Sequence, residues 1–459
     1  MISLSQIATW SGAQLLSGDP GLMMNGFSRS TRTLQSGDLY LALKGENFDG
    51  NNFIAQAAAQ GACGALMDGE IPEGLPASFA LLRVDDTLSA LHRLAAAWRK
   101  ELPCRVVMIT GSSGKTTTKD FTTAVLGSAR RVSATQGNYN NNIGLPLTML
   151  RASRADEVAV WEIGMNARGE IAPLAELGMP DVAIITNIGT AHIGNLGSRE
   201  MIAEEKGDLF ATLRADGLAI VPALDDFCEV LAKRTKARVM RVGIDSGELQ
   251  ARKLEMSDAG TRFEVVYEQK SYPAFLSVPG KHMVTNALLA LAAGIACGVS
   301  LEKGIAALKN LHASKSRLSI SEHGGIHLID DTYNANPDSM EAALATMASL
   351  ACGGRRIAVL GRMGEMGDYA EQGYRRVGKA AVPLDVLITV GSETSIMAQA
   401  AREAGVRDVH EVLNNDAASQ LLLSLVQLGD LVLVKGSLSA KMKEVVSALI
   451  ASNQGTLKR

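Results

Sequence analysis

Residues 109–119 read ITGSSGKTTTK directly after the apolar run RVVM, and their types and spacing suit the holding of a phosphate. A phosphate-binding loop needs a strand, a glycine-bearing turn that exposes backbone N–H groups, a lysine, and a hydroxyl that reaches magnesium. Gly111 and Gly114 supply the turn, Lys115 is placed to reach the β- and γ-phosphates, and Thr116 to ligate Mg2+. The residues that follow open a helix, whose positive N-terminus favours anions. Ile109 stands where the general motif has Gly or Ala, so the loop is a shorter variant, T-G-x-x-G-K-T.

Such a loop implies ATP or GTP and leaves the second substrate open, so other polar residues must decide. Glu162 ends the strand-like run VAVWE, and a carboxylate at the carboxyl edge of a parallel strand is well placed to hold magnesium, or is simply a strand-end acid in water. NIGTAHIGNLGS (187–198) offers Asn187 and His192, although a lone histidine is more often a satisfied polar residue than a ligand. Lys206, in the helical stretch IAEEKGDLF, reads by itself as a solvated lysine. GNYNNNIGLP (137–146) is a loop rich in amide donors and acceptors. LIDDTYNANPDSM (328–340) ends a strand with Asp330, Asp331, Tyr333, Asn334 and Asn336. VPGKHMVTN (278–286) brings Lys281, His282 and Asn286 to a helix start, where an amide either reads the edge of an adenine ring or caps the helix.

The elements that position these residues read as an α/β protein. At 459 residues the chain is expected to hold about three domains. DLYLALKG (38–45) and GACGALMDG (61–69) are short apolar runs between glycine turns, a small α/β unit. TLSALHRLAAAWRKEL (87–102) repeats apolar residues at three and four, a helix that hands over to the P-loop strand. VAVWEIG, DVAIITNIG and GLAIVP are short, apolar and glycine-bounded, as buried parallel strands are. From about 238 to 278 polar and apolar residues alternate, which predicts antiparallel strands, followed by a helix over TNALLALAAGIACG. HLID, RIAVLG, DVLITVG and LVLVKGS form a third α/β set after Lys315. The expected divisions are 1–84, 85–314 and 315–459, without short repeats or low-complexity segments.

Composition excludes other classes. Hydrophobic residues make up 47% of the chain, yet no apolar stretch reaches the ~18 residues of a membrane span. The start MISLSQIATW lacks a positive segment before a long apolar one, so no secretion signal is expected. Five scattered cysteines, none in a C-x-x-C pair, point to a reducing cytoplasm without a zinc site or disulfide framework. With 45 basic and 48 acidic residues and no long basic tract, nucleic acid is disfavoured as a partner.

Together, TGSSGKTTTK, NNNIGLPLT, WEIGMNARGEI, TNIGTAHIGNLGS, PGKHMVTNAL, DDTYNANPDSM, LGRMGEMGDYAEQG and LVKGS, in this order, resemble the Mur ligase superfamily over essentially the whole chain. DDTYNANPDSM with MGEMGDYAEQG is similar to the members that join D-alanyl-D-alanine to UDP-N-acetylmuramoyl-tripeptide. The resemblance implies a three-domain architecture: a UDP-substrate domain, a central P-loop ATPase and a C-terminal Rossmann-like domain that closes on ATP and the incoming amine. It implies an ATP-dependent ligase that uses Mg2+ and an acyl phosphate, cytoplasmic, monomeric, and without nucleic acid or membrane insertion.

By the same resemblance, Gly111, Ser112, Ser113, Gly114, Lys115, Thr116, Thr117, Asn286, Arg317, Asp331 and Asn334 bind ATP. Thr116, Glu162, His192 and Lys206 hold metal, with Lys206 matching a lysine that is carbamylated in related ligases. Lys115, Asn142, His192 and Lys206 match positions at the reacting groups, and Ser30, Thr31, Arg32 and Asp49 match the uridine and diphosphate region. The chain departs from the family pattern at Ser30 (usually an acid), Met283 (asparagine), Arg362 (aspartate) and Leu438 (arginine). The Leu438 departure bears on how the dipeptide carboxylate is held and leaves another amine, or D-Ala-D-lactate, open. The competing readings are a folylpolyglutamate-synthase-like ligase, a muramyl ligase that adds a single amino acid, and a P-loop switch or scaffold that forms no amide bond.

Overall fold

Short buried strands and capped helices account for most of the computed structural model, which describes residues 2–309, 311 and 315–456. The expected boundary at 314/315 touches residues 312–314, which lie outside the described residues. The chain separates into two compact units, one comprising Met1–Met108, Arg130–Met165 and Glu170–Asp181, the other Ile109–Ala129, Asn166–Gly169 and Val182–Arg459.

In the first unit a five-stranded sheet runs in the order Gln14–Ser17, Ala80–Arg83, Gly64–Met67, Asp38–Leu41, Gly26–Ser28. Its first pair is antiparallel and the others parallel. The runs around 38–45 and 61–69 are its central strands, and Tyr40, Ile54, Ala65, Met67 and Phe79 pack into one core. Helix Thr87–Glu101 starts where Asp86 accepts the Ser89 N–H at 2.7 Å. Its apolar stripe of Ala90, Leu91, Leu94, Ala95 and Trp98 is buried, as the three-and-four spacing requires. Val132–Ala134 and Val158–Glu162 pair in parallel, and the asparagine loop between them ends in helix Gly144–Arg151.

In the second unit, helix Lys115–Gly127 follows the P-loop, and strands Val182–Ile185, Leu218–Pro222 and Arg238–Ile244 pair in parallel. The expected antiparallel set therefore begins at Leu249, not 238. Arg238–Ile244 alternates because only one of its faces is deeply buried, yet it pairs in parallel with Leu218–Pro222, whereas Leu249–Ser257, Gly260–Tyr267 and Lys270–Leu276 are antiparallel. The next helix spans Lys281–Ala296, one turn earlier than expected, because Gly280 at φ 120° starts it. It is buried nearly all round and packs on Lys115–Gly127, where a Cβ on Gly294 would lie 2.5 Å from Val125.

The remaining sheet carries strands β1 (Ser319–His323), β2 (Ile326–Asp331), β3 (Arg356–Leu360), β4 (Val386–Val390), β5 (Asp408–Val412) and β6 (Leu431–Lys435). Its helices are α1 (Pro337–Ser349), α2 (Ala370–Ala380), α3 (Ser395–Glu403), α4 (Asn415–Leu425) and α5 (Lys443–Thr456). The strand order is β1-β2-β6-β3-β4-β5, with β1 antiparallel to β2 and every other pairing parallel. VLITV and LVLVK are buried at every position, which is why these strands read as continuous apolar runs rather than alternating ones. Ile357, Val359, Ile388, Val432 and Val434 form the core between sheet and helices. Truncating one such residue to Ala would cost about 2–5 kcal/mol. All five cysteines are free thiols. Among the described residues no helix is long and apolar enough to cross a membrane.

Candidate nucleotide and metal site

The P-loop is lashed to the loop that follows strand Val182–Ile185. Ser112 N–H donates to Asn187 O at 3.0 Å, Ser113 N–H to Asn187 Oδ1 at 2.9 Å, and Gly189 N–H to Ser112 Oγ at 2.9 Å. Thr186 Oγ1 donates to Ser113 O at 2.5 Å. These bonds hold a turn that only glycine can make. Gly111 and Gly114 have φ of 151° and 80°, and a Cβ on Gly114 would lie 2.8 Å from Asn286 Oδ1. Lys115 Nζ bends back to donate to Gly111 O at 2.6 Å, so its ammonium lies across the mouth of the loop. Asn286 is buried against Gly114 and caps no helix end, since the cap of its helix, Gly280, receives no side-chain bond.

His192 sits at a left-handed backbone position with φ 64°, and Glu365 faces it with φ 59°. Their side chains meet at 2.5 Å between Nδ1 and Oε2. The imidazole holds the Glu365 carboxyl below the ordinary range. Gly194 N–H donates to Glu365 O at 2.9 Å, and a Cβ on Gly367 would come within 2.7 Å of Gly194 Cα; two residues without side chains let these loops touch.

Lys206 projects from helix Arg199–Ala211 into the interior. It is 0% exposed, and its Nζ has no hydrogen-bond partner. Burial, reinforced by the charge of Lys115, pushes its amine well below the ordinary lysine range. The expectation of a solvated lysine, read from its type alone, is thus overturned. Its neighbour Glu205 accepts the Gly169 N–H at 2.8 Å.

Arg317, Asp331 and Asn334 form a second cluster. The Arg317 guanidinium lies 3.7 Å from the centre of the Tyr333 ring. Asp331 accepts from Leu318 N–H at 3.1 Å and pairs with the buried Lys435 at 2.5 Å, and Lys435 also donates to Asn334 O at 2.9 Å. Asn336 Nδ2 donates to Ser113 Oγ at 3.0 Å, which ties this cluster to the P-loop.

In the first unit, Glu162 is buried at 2% exposure and accepts from Asn140 Nδ2 at 2.7 Å, while its N–H donates to Thr135 Oγ1 at 2.9 Å. The strand-end acid is buried and held by the asparagine loop. Asn142 is exposed, with its carbonyl 2.5 Å from His92 Nε2. Ser30, Thr31 and Arg32 form a turn in which Arg32 N–H donates to Ser30 Oγ at 3.3 Å. Asp49 accepts from both the N–H and Nδ2 of Asn51, at 2.9 and 2.7 Å, and its carboxyl is lowered chiefly by the backbone bond.

Sequence reasoning passed over Thr186, Thr190, Asp338, Glu365 and Arg376. Only polar type within motif segments could have pointed to the first four, and Arg376 lies beyond the last segment that holds them. Among the described residues no three His, Cys, Asp or Glu side chains cluster as a ready-made metal cage. Groups with metal-binding chemistry are, in the second unit, Thr116, His192 and the unpartnered amine of Lys206, and, in the first unit taken by itself, Glu162.

A glycine loop opening a helix, backed by an α/β sheet and followed by a Rossmann-like sheet, defines a nucleotide-phosphate-binding α/β protein. Three descriptions match in sequence order: Mur ligase family, catalytic domain, over residues 26–99; Mur ligase middle domain over 109–294; and Mur ligase, glutamate ligase domain, over 316–438. The UDP-N-acetylmuramoyl-tripeptide–D-alanyl-D-alanine ligase of Bacillus subtilis strain 168 is 38% identical, with 94% of each chain covered. That of Escherichia coli K12 is 35% identical, with 98% of each covered. Among solved structures, MurF from Acinetobacter baumannii superposes with a TM-score of 0.89 at 33% identity, covering 98% of this chain and 99% of that one. MurF ligase from Thermotoga maritima in complex with ADP gives 0.84 at 25% identity, covering 95% and 99%. The chain belongs to the Mur ligase family. Its fold is the three-domain α/β architecture of that family, with a central P-loop ATPase domain and a C-terminal Rossmann-like domain.

Proposed function

We propose that this chain is an ATP-dependent carboxylate–amine ligase that joins D-alanyl-D-alanine to UDP-N-acetylmuramoyl-tripeptide in peptidoglycan precursor synthesis. The observation that carries the reading is the P-loop lashed to Asn187, with Lys115 folded across its mouth, in a chain that shares 35–38% identity with ligases of that name over nearly its full length. A terminal carboxylate oxygen of the tripeptide attacks the γ-phosphorus of ATP, and ADP leaves. The amine nitrogen of the dipeptide then attacks the acyl carbon, loses a proton, and phosphate departs with the bond it held.

No side-chain nucleophile is needed; the protein positions groups and offsets charge. Gly111 to Thr117 hold the phosphates, and Lys115 swings from Gly111 O to the β- and γ-phosphates. Asn286 faces the adenine end, and Arg317, Asp331 and Asn334 close on the nucleotide from the C-terminal domain. Asn142 lies near the reacting carboxylate. Ser30, Thr31, Arg32 and Asp49 hold the uridine diphosphate. Thr116, Glu162, His192 and Lys206 hold Mg2+, which when bound neutralises the phosphate charge. The donor chemistry fits: Glu162 is a buried carboxylate oriented by Asn140, and Lys206 is a buried, unpartnered amine whose charged form burial disfavours. A neutral amine reacts with carbon dioxide to give a carbamate, which turns a lysine into an acidic ligand. The divisions 1–84, 85–314 and 315–459 correspond to the UDP-substrate, ATPase and dipeptide domains, and the enzyme acts as a cytoplasmic monomer.

The test is isotopic. Tripeptide carrying 18O in its terminal carboxylate transfers one 18O to the released phosphate and yields the pentapeptide mass. Phosphate without label would rule out the acyl phosphate route.

A further inference from the structure

The C-terminal sheet has a crevice set by its topology. From β2 the chain proceeds through β3 and β4 to β5 in one direction, then returns to insert β6 between β2 and β3. Parallel crossovers are right-handed, so reversing direction moves the connection to the opposite face. Accordingly α1, α2 and α3 pack side by side in one layer, while α4 packs with α5 in another. The segments that leave β3 and β6 therefore diverge, and in open parallel sheets ligands bind in the crevice at the carboxyl ends of such strands.

The rim of that crevice is specific. Strand ends Leu360 and Lys435 pair in register, Gly361 N–H donates to Lys435 O at 2.8 Å, and Ser437 N–H donates to Arg362 O at 2.9 Å. Arg362 and Leu438 thus flank one backbone hydrogen bond. Met442 fills the floor: a Cβ on Gly361 or Gly436 would lie 2.6 or 2.5 Å from it. Lys435 is buried and committed to Asp331 and Asn334 O. Arg362 is different. Its side chain is 46% exposed, and among the described residues its guanidinium has one ion-pair contact, 3.8 Å to Glu393 in the turn after β4. Leu438 is 67% exposed, an apolar wall beside a cation.

The geometry points to Arg362 as the residue that receives the terminal carboxylate of the incoming dipeptide, with Leu438 lying against its apolar side chain. This rests on the ligase reading above. Glu393 pairs with the guanidinium at 3.8 Å, beyond hydrogen-bond reach, so the N–H fork stays open, and a planar guanidinium matches a carboxylate with two parallel hydrogen bonds. Arg362 acts on binding of the amine and takes no part in phosphoryl transfer.

The experiment compares D-Ala-D-Ala with its C-terminal carboxamide as amine substrates for the wild-type enzyme, Arg362→Met and Arg362→Lys, at saturating Mg-ATP and UDP-substrate. The wild type favours the acid by about 10- to 100-fold in kcat/KM, the range of a charge-assisted pair. In Arg362→Met that preference collapses to about one through a higher KM for D-Ala-D-Ala, with the KM for ATP unchanged, and Arg362→Lys retains part of it. The unchanged KM for ATP also reports that the variant is folded. A preference that survives intact in Arg362→Met overturns the assignment while leaving the ligase reading in place. A wild-type enzyme that turns over neither amine sinks both.

Discussion

Asp338 Oδ2 accepts two hydrogen bonds from Thr190, one from the N–H at 2.6 Å and one from the hydroxyl at 2.7 Å. Its other oxygen accepts from Arg376 Nη2 at 3.1 Å, and Arg376 is held in turn by Glu341 at 2.6 Å and Tyr369 at 3.0 Å. A carboxylate at the start of α1 thus clamps the loop that carries His192. Hydrogen bonds to a charged group are each worth about 1.5–3 kcal/mol. Thr190→Val, which keeps the N–H bond, is expected to lose about 1.5 kcal/mol in urea unfolding, and Asp338→Ala, which removes both, about 3 kcal/mol or more. Because both changes act on one contact, the double variant should be barely worse than Asp338→Ala. Fully additive losses would mean that the two residues do not act as a pair.

The P-loop prediction rests on backbone. Ala at position 114 must adopt a φ of 80° with its Cβ 2.8 Å from Asn286 Oδ1. A left-handed position costs a non-glycine residue about 1–2 kcal/mol before the clash is counted. Gly114→Ala should weaken ATP binding at least ~10-fold by calorimetry, and Lys115→Ala, which removes the cation proposed for the β- and γ-phosphates, should lower kcat/KM for ATP at least ~100-fold. Wild-type affinity in Gly114→Ala would show that the loop does not need its observed shape.

Much of this was legible beforehand, and the limits are instructive. ITGSSGKTTTK announced its turn because glycine, lysine and threonine act within one local segment. VAVWE, VLITV and LVLVK announced buried strands because apolar residues run on, with a single polar residue near each carboxyl end. The pairs that shape the site could not be read this way. Thr190 with Asp338, His192 with Glu365, and Ser437 with Arg362 are remote in sequence, and periodicity states that an element exists, not what it meets. Lys206 shows the same limit from the other side: nothing in IAEEKGDLF distinguishes a lysine that faces water from one that is wholly buried. Arg238–Ile244 misled because alternation reports which face is buried, not the direction of the neighbouring strand.

Glu162 and Asn140 should separate in a magnesium titration. Glu162→Gln removes the charge that would face the ion, whereas Asn140→Ala removes only the 2.7 Å bond that orients it. Glu162→Gln is expected to raise the Mg2+ concentration for half-maximal activity by more than ~10-fold, and Asn140→Ala by less, since outer partners of a ligand act through its orientation. Equal, near-wild-type Mg2+ requirements in both variants would remove Glu162 from the metal site.

His282 gives a pH prediction. Desolvation pushes its imidazole down to about 4, opposed by Asp331 and reinforced by Lys435. Between the ordinary histidine range and about 4 the unfolded chain takes up a proton that the folded protein refuses. Stability from this group is therefore intact at neutral pH and declines as pH falls through that window. At about pH 5 the loss is on the order of 1–2 kcal/mol, allowing for the part of the ring that meets solvent. His282→Asn should show a correspondingly smaller drop in urea midpoint between about pH 7.5 and 5. If wild type and variant lose stability in parallel, His282 takes up its proton alike in the folded and unfolded chain, and burial does not oppose it.

The most direct measurement is phosphate release by the purified protein with Mg-ATP, UDP-N-acetylmuramoyl-tripeptide and D-Ala-D-Ala, each omitted in turn. The ligase account predicts release only when all three are present, in step with pentapeptide formation. Release that needs the tripeptide but favours a different amine would contradict the dipeptide assignment, and release indifferent to the tripeptide would contradict the ligase itself.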